Sequence, residues 1–354
     1  MKYKILGQRT GLRVSEFALG AGNFGTRWGH GAEPADAQAM FDRFVEAGGN
    51  FIDTADGYQF GQSEELVGQF INSNRDDFVV ATKYSNGLDP KTGISRLGNS
   101  RKTMIRAVED SLRRLNTDYI DLYWTHFPDA QTPTDEILRG FDDLVTSGKI
   151  LHAGLSNFPA WRVSRAAALA ELRNQAPIAA VQFEYSLVER SADREYLPMI
   201  EGLGLGALMW SPLGGGFLTG KYRTGAGDGA SRKSGLGVLV HNESGDQKSA
   251  VLDEVIAIAT EVGATPSQVS VAWLRHRGAA SAGAHVPIIG PRTVAQLDDY
   301  LAATQVGLSD EQVARLTAVS DIVLGAPYDQ SAAQAGPLFA GQLDRLHRPL
   351  STVA

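Results

Sequence analysis

Cysteine is missing from all 354 residues. Its absence excludes disulfides, thiolate metal sites and a cysteine nucleophile, and it fits a reducing compartment. Long basic runs are missing too. No stretch of Lys or Arg exceeds two residues and the formal net charge is −7, so the chain lacks the basic footprint of a nucleic-acid binder. Nor is there an unbroken apolar segment of membrane length: the most apolar window, residues 197–218, is interrupted by Glu201, Pro212 and several glycines, which argues for strand and loop. The opening MKYKILGQRTG has no apolar stretch of the kind that directs secretion. These shortages lead us to expect a cytoplasmic protein that acts on small molecules away from membranes. Its oligomeric state is not written in the sequence.

What the chain does have is a regular alternation. Short apolar runs begin at FALG (17), NFIDTA (50), FVVATK (78), YIDLYWTH (119), ILHAGLSN (150), IAAVQFEY (178), LGALMWSPL (205) and HVPIIGPR (285). Segments of helical period lie between them. In RKTMIRAVEDSLRRL, for example, Met104, Ile105, Val108, Leu112 and Leu115 share one face. Eight strand–helix units predict a (β/α)8 barrel, a TIM barrel, occupying residues 1–354 as a single domain. YKILGQRTGLRVS reads as a hairpin ahead of it. Two stretches fall outside the alternation: residues 214–247, rich in glycine and serine, and the tail 325–354, which is expected to help shape a pocket.

GAGNFG, residues 20–25, fits the G-x-G-x-x-G dinucleotide fingerprint, but that motif needs a helix N-terminus directly after it to hold a pyrophosphate. Here TRWGHGAEP follows, so a pocket-rim loop is the better reading. The polar residues that end strands carry more information, because strand C-termini converge on one mouth of such a barrel. Asp53 ends the second strand, Lys83 the third and His126 the fourth, with Tyr58 on the loop after Asp53. Singly these read as turn chemistry, a solvated lysine, a packing histidine and a loop aromatic. Together they make equipment for protonating a carbonyl oxygen. A neighbouring ammonium stabilises a phenolate, a carboxylate fixes the ammonium, and a neutral imidazole orients the carbonyl. None of them supplies electrons, so a reduction would need a hydride carrier.

At these residues the chain resembles the aldo-keto reductases, in particular the long-chain branch that includes aryl-alcohol dehydrogenase-like enzymes and potassium-channel β subunits. The resemblance runs from LGQRTGLRVSEFALGAGNFG to about residue 324, with FIDTADGY, ATK and LYWTH at the family's catalytic motifs. It implies Asp53, Tyr58, Lys83 and His126 as a catalytic tetrad and NADPH as cofactor, held across the barrel mouth. It further implies that Ser156, Asn157 and Gln182 meet the nicotinamide carboxamide and that Trp210 stacks on the nicotinamide. Ser211, Pro212, Leu213, Gly215, Thr219 and Lys221 would follow the pyrophosphate. Gly290, Arg292, Gln296 and Asp299 would hold the adenosine end, where Tyr300 stands in place of the family's usual asparagine. The expected reaction is reduction of an aldehyde or ketone, with Phe24, Trp28, Tyr84 and Phe127 around the substrate. Two other readings remain at this stage. One is a Schiff-base lyase using Lys83. The other is a nucleotide-sensing subunit, which His126 counts against because the channel subunits replace it.

Overall fold

A computed structural model of the chain describes residues 1–86, 92–223, 241, 243, 245–279, 281 and 283–345. All eight expected strands are present: β3 (Ala18–Gly20), β4 (Phe51–Asp53), β5 (Val79–Tyr84), β6 (Ile120–Thr125), β7 (Ile150–Ser156), β8 (Ile178–Glu184), β9 (Gly206–Trp210) and β10 (His285–Ile289). They close in sequence order into one parallel barrel, β10 pairing with both β9 and β3. The predicted hairpin is β1 (Tyr3–Ile5) against β2 (Arg13–Ser15), antiparallel, and its Leu6 and Val14 pack with the barrel interior. Helices α1 (Pro34–Glu46), α2 (Gln62–Ile71), α3 (Arg101–Leu115), α4 (Thr134–Thr146), α5 (Ala160–Leu172) and α6 (Tyr196–Leu203) follow the first six barrel strands in turn. Next come α7 (Asp246–Val262), α8 (Pro266–Ala279), α9 (Val294–Ala302), α10 (Asp310–Val319) and α11 (Tyr328–Leu338). Among the described residues no helix is long and apolar enough to cross a membrane.

Strand residues alternate between two cores, because successive side chains point to opposite faces. Phe51, Val79, Ala81, Leu122, Trp124, Ala180, Leu208 and Ile288 fill the barrel interior. Ile52, Val80, Tyr123, Val181 and Met209 face out and meet the helices. The interior is tight enough to demand glycine at one point. A Cβ on Gly154 would come within 2.4 Å of the Trp124 ring, so β7 gives up a side chain to seat that indole.

The same alternation decides which strand-end residues reach the mouth. Counting inward by twos from Phe51, Ala81, Leu122 and Leu208 puts Asp53, Lys83, His126 and Trp210 on the interior side at the C-terminal end. Tyr84 is thereby turned outward. It is fully buried, stacked on Tyr123 at 5.3 Å, with its hydroxyl donating to the Asn99 carbonyl. Its expected place around the substrate is corrected: a residue next to inward Lys83 must face the helices. Phe24 is corrected likewise, being fully buried edge-on to Phe70 in the outer core. In the tail, residues 325–345 are mostly exposed and none lines the mouth cavity. Residues 346–354 lie outside the described residues, as does most of the middle of the 214–247 stretch.

Candidate functional site

The loops leaving the strands are pinned before they diverge, because the backbone ladder runs on past the strand ends. Asp56 N–H donates to the Lys83 carbonyl, His126 N–H to that of Tyr84, and Asn157 N–H to that of Gln182, at 2.9–3.0 Å. This holds the four residues of the expected tetrad together. Lys83 is fully buried, and its Nζ donates to Asp53 Oδ2 at 2.5 Å and to the Thr54 carbonyl at 2.7 Å, with Tyr58 Oη at 3.4 Å. Three acceptors in a dry site suit an ammonium. Burial is the largest single influence and works against its charge, but Asp53 and Tyr58 together outweigh it and hold the lysine above its ordinary range. The second Asp53 oxygen accepts from Gln182 Nε2 at 3.0 Å. His126 lies edge-on to Tyr58, ring centroids 5.9 Å apart. Burial first and the Lys83 charge second push its pKa well below the ordinary histidine value, so it is a neutral imidazole.

These groups open into a cavity of about 360 Å³ at the barrel mouth. Of the residues expected around a cofactor, Asn157, Gln182, Trp210, Ser211, Pro212, Leu213, Gly215 and Gly290 line it. Asn157 is a brace. With φ at +59°, a conformation asparagine tolerates, it donates to the His126 carbonyl and to Ser156 Oγ and accepts from Trp210 Nε1 at 3.1 Å. Three strand ends and the half-buried Trp210 indole are thereby fixed to one another. After Trp210 the chain turns through Gly214, Gly215 and Gly216, all at positive φ. At Gly215 and Gly216 it presents backbone without side chains to the cavity, a wall that a phosphate can approach. The cavity therefore has a planar indole at one point and a glycine-lined polar stretch beyond it, which fits a nicotinamide dinucleotide.

Other expected residues stand back from the cavity wall. Ser156 is fully buried behind Asn157. Thr219 caps its own turn through the Gly216 carbonyl, and Lys221 follows it. Arg292 lies just ahead of α9, its backbone N–H donating to Gln296 Oε1. Asp299 accepts from Thr265 and Gln268 on the side facing α8. At the opposite rim Trp28 and Phe127 line the cavity as expected, Trp28 edge-on to Tyr58 at 6.0 Å and Phe127 stacked on His126 at 4.7 Å. Sequence reasoning missed Asn23, His30 and Asn86 in the lining, and did not count Tyr300 as a site residue. Asn23 had a signal of a kind. It sits in the glycine-rich segment after β3, and its amide ties that loop to the Gly290 and Pro291 carbonyls.

Residues 16–321 match the profile described as the aldo/keto reductase family. The chain belongs to that family. Among similar curated proteins, the oxidoreductase YrpG of Bacillus subtilis is 37% identical, over 92% of this chain and 97% of its own length. The aryl-alcohol dehydrogenase (NADP(+)) of Phanerodontia chrysosporium is 36% identical, over 92% and 88%. A norsolorinic acid reductase of Aspergillus flavus is 33% identical, over 92% and 82%. As an aldo/keto reductase the chain is an oxidoreductase, and its relatives support carbonyl reduction as the reaction type.

Proposed function

We propose that this reductase uses NADPH to reduce an aldehyde or ketone to the alcohol, with Tyr58 as the general acid. The observation that carries the reading is the line from Asp53 through buried Lys83 to the Tyr58 hydroxyl, at the floor of the cavity. When bound, the nicotinamide would supply the hydride. The chain's own residues do the rest. Asp53 keeps Lys83 charged, and the ammonium stabilises the negative charge that develops on Tyr58 as its proton passes to the substrate oxygen. Neutral His126 offers an uncharged ring beside the phenol, able to orient a carbonyl without competing as an acid. Trp210, Asn157 and Gln182 would hold the nicotinamide, and the Ser211–Gly216 turn the pyrophosphate. The name of the Phanerodontia relative supports NADP as the dinucleotide.

Lys83 as a Schiff-base nucleophile is the weaker reading. Such a lysine must be deprotonated to attack, whereas this one is held charged by Asp53. The test is NADPH absorbance in the presence of a panel of aromatic, aliphatic and sugar carbonyls. Consumption with at least one of them is expected, with no borohydride-trapped adduct. No turnover of any carbonyl, or an adduct on Lys83 formed without nicotinamide, would overturn the proposal.

A further inference from the structure

The segment that carries Phe127 is gripped from two sides, and what it grips in turn is His126. The backbone of His126 is fixed: its N–H donates to the Tyr84 carbonyl, and its own carbonyl accepts from Asn157 Nδ2 at 3.0 Å. Its ring is held differently. The imidazole nitrogens make no hydrogen bond among the described residues, so ring contacts orient it, Tyr58 edge-on and Phe127 stacked at 4.7 Å with 30° between the planes. Phe127 is itself 43% exposed on the cavity rim, so packing does little to seat it. Its backbone does that.

Asn99, in the loop ahead of α3, is fully buried and turns its amide to that backbone. Nδ2 donates to the Phe127 carbonyl and Oδ1 accepts from the Asp129 N–H, each at 2.8 Å. In return the Asn99 N–H donates to Asp129 Oδ2 at 2.8 Å, and the Asn99 carbonyl accepts from the Tyr84 hydroxyl at 3.2 Å. Gly98 permits the approach: its φ is +83°, and a Cβ there would stand 2.8 Å from Asp129 Oδ2. Ser85 is a second jaw. Its Oγ accepts from the Phe127 N–H at 3.2 Å and donates to the Phe127 carbonyl at 3.3 Å. It does so with φ at +101°, where a residue with a Cβ is strained and glycine is not. A strained serine kept for its hydroxyl, directly after Lys83 and Tyr84, points to a task at the mouth.

We propose that Asn99 is a positioning residue: it clamps Phe127 against the His126 imidazole and so sets the angle at which that ring meets the substrate carbonyl, with Ser85 as the second jaw. This rests on His126 orienting the carbonyl, as in the proposed function.

Asn99→Ala should lower kcat about 10-fold or more, with NADPH affinity by intrinsic fluorescence near wild type. Phe127→Ala removes the stack itself. Because Asn99 acts through Phe127, the double variant should have the kcat of Phe127→Ala, and the two losses should not multiply. NMR of isotope-labelled histidine gives a readout independent of turnover: the His126 ring signal should move in the same direction in both single variants. Ser85→Gly relieves the backbone while removing the hydroxyl, so it should melt no lower than Ser85→Ala and yet lose as much kcat, about 2- to 10-fold. A purely structural serine would lose turnover only together with stability. Losses that multiply in the double variant, a His126 signal unmoved by Asn99→Ala, or wild-type kcat in both Ser85 variants would overturn the proposal, the last even if Asn99→Ala does not fold. Full turnover in His126→Ala would instead overturn the carbonyl-orienting role, while the His126 signal in the clamp variants still reports whether Asn99 holds the ring.

Discussion

Replacing Lys83 with methionine tests the buried pair at the floor of the site. The thioether keeps the length of the stem and removes the charge, leaving Asp53 enclosed without its ammonium and still accepting from the Gln182 amide. Breaking a buried pair in this way costs about 3–5 kcal/mol. The carboxyl can limit that cost by taking a proton. With an unfolded pKa near 3.9, neutralisation costs about 1.36 kcal/mol per pH unit above it, so roughly 4 kcal/mol at pH 7 and roughly 1.5 kcal/mol at pH 5. The sign follows from proton counting: in the variant the folded state binds the extra proton, so its stability falls as pH rises. An unfolding entropy of about 2.1 cal/mol/K per residue over 354 residues is about 0.74 kcal/mol/K. The expected drop in melting temperature is then about 6 °C at pH 7 and about 2 °C at pH 5. Asp53→Asn added to Lys83→Met removes the stranded acid and should restore most of the loss and abolish its pH dependence. Calorimetry at the two pH values decides. An equal drop at both, or a double variant no better than the single, would show that the pair is not the desolvated ammonium–carboxylate described here.

The strands were legible because a parallel barrel buries both faces of each one, so they stand out as apolar runs between helical segments. Asp53, Lys83 and His126 were legible for the converse reason: a polar residue ending such a run is conspicuous. Facing was harder to read. Lys83 and Tyr84 are neighbours at one strand end, and the period of two allows only one of them into the mouth. Phe24 follows a strand of three residues and has no period to place it. Contacts made across long separations left no trace at all. That Gln182 holds Asp53, that Asn157 braces Trp210, or that Arg114 pairs with Glu64 depends on residues 50 to 129 positions apart meeting in space.

Tyr58→Phe should lower turnover about 100-fold or more while NADPH affinity, followed by intrinsic fluorescence, stays near wild type; a variant with full turnover would exclude Tyr58 as the acid. Gly154→Ala places a Cβ 2.4 Å from Trp124, so we expect about 1–3 kcal/mol of destabilisation from overpacking in denaturant unfolding, and an unchanged midpoint would mean that β7 can move away from the indole. Arg292 tests the choice of cofactor. It sits just before the N-terminus of α9, within two residues of Gly290 on the cavity wall, where a cation opposes the helix dipole and an anionic ligand would relieve that cost. A guanidinium offers a 2′-phosphate a planar fork of donors at every relevant pH. Charge-assisted hydrogen bonds contribute about 1.5–3 kcal/mol, so Arg292→Ala should weaken NADPH about 10- to 100-fold and leave NADH, which lacks the phosphate, almost unaffected. Equal losses for the two cofactors would show that Arg292 does not read the phosphate.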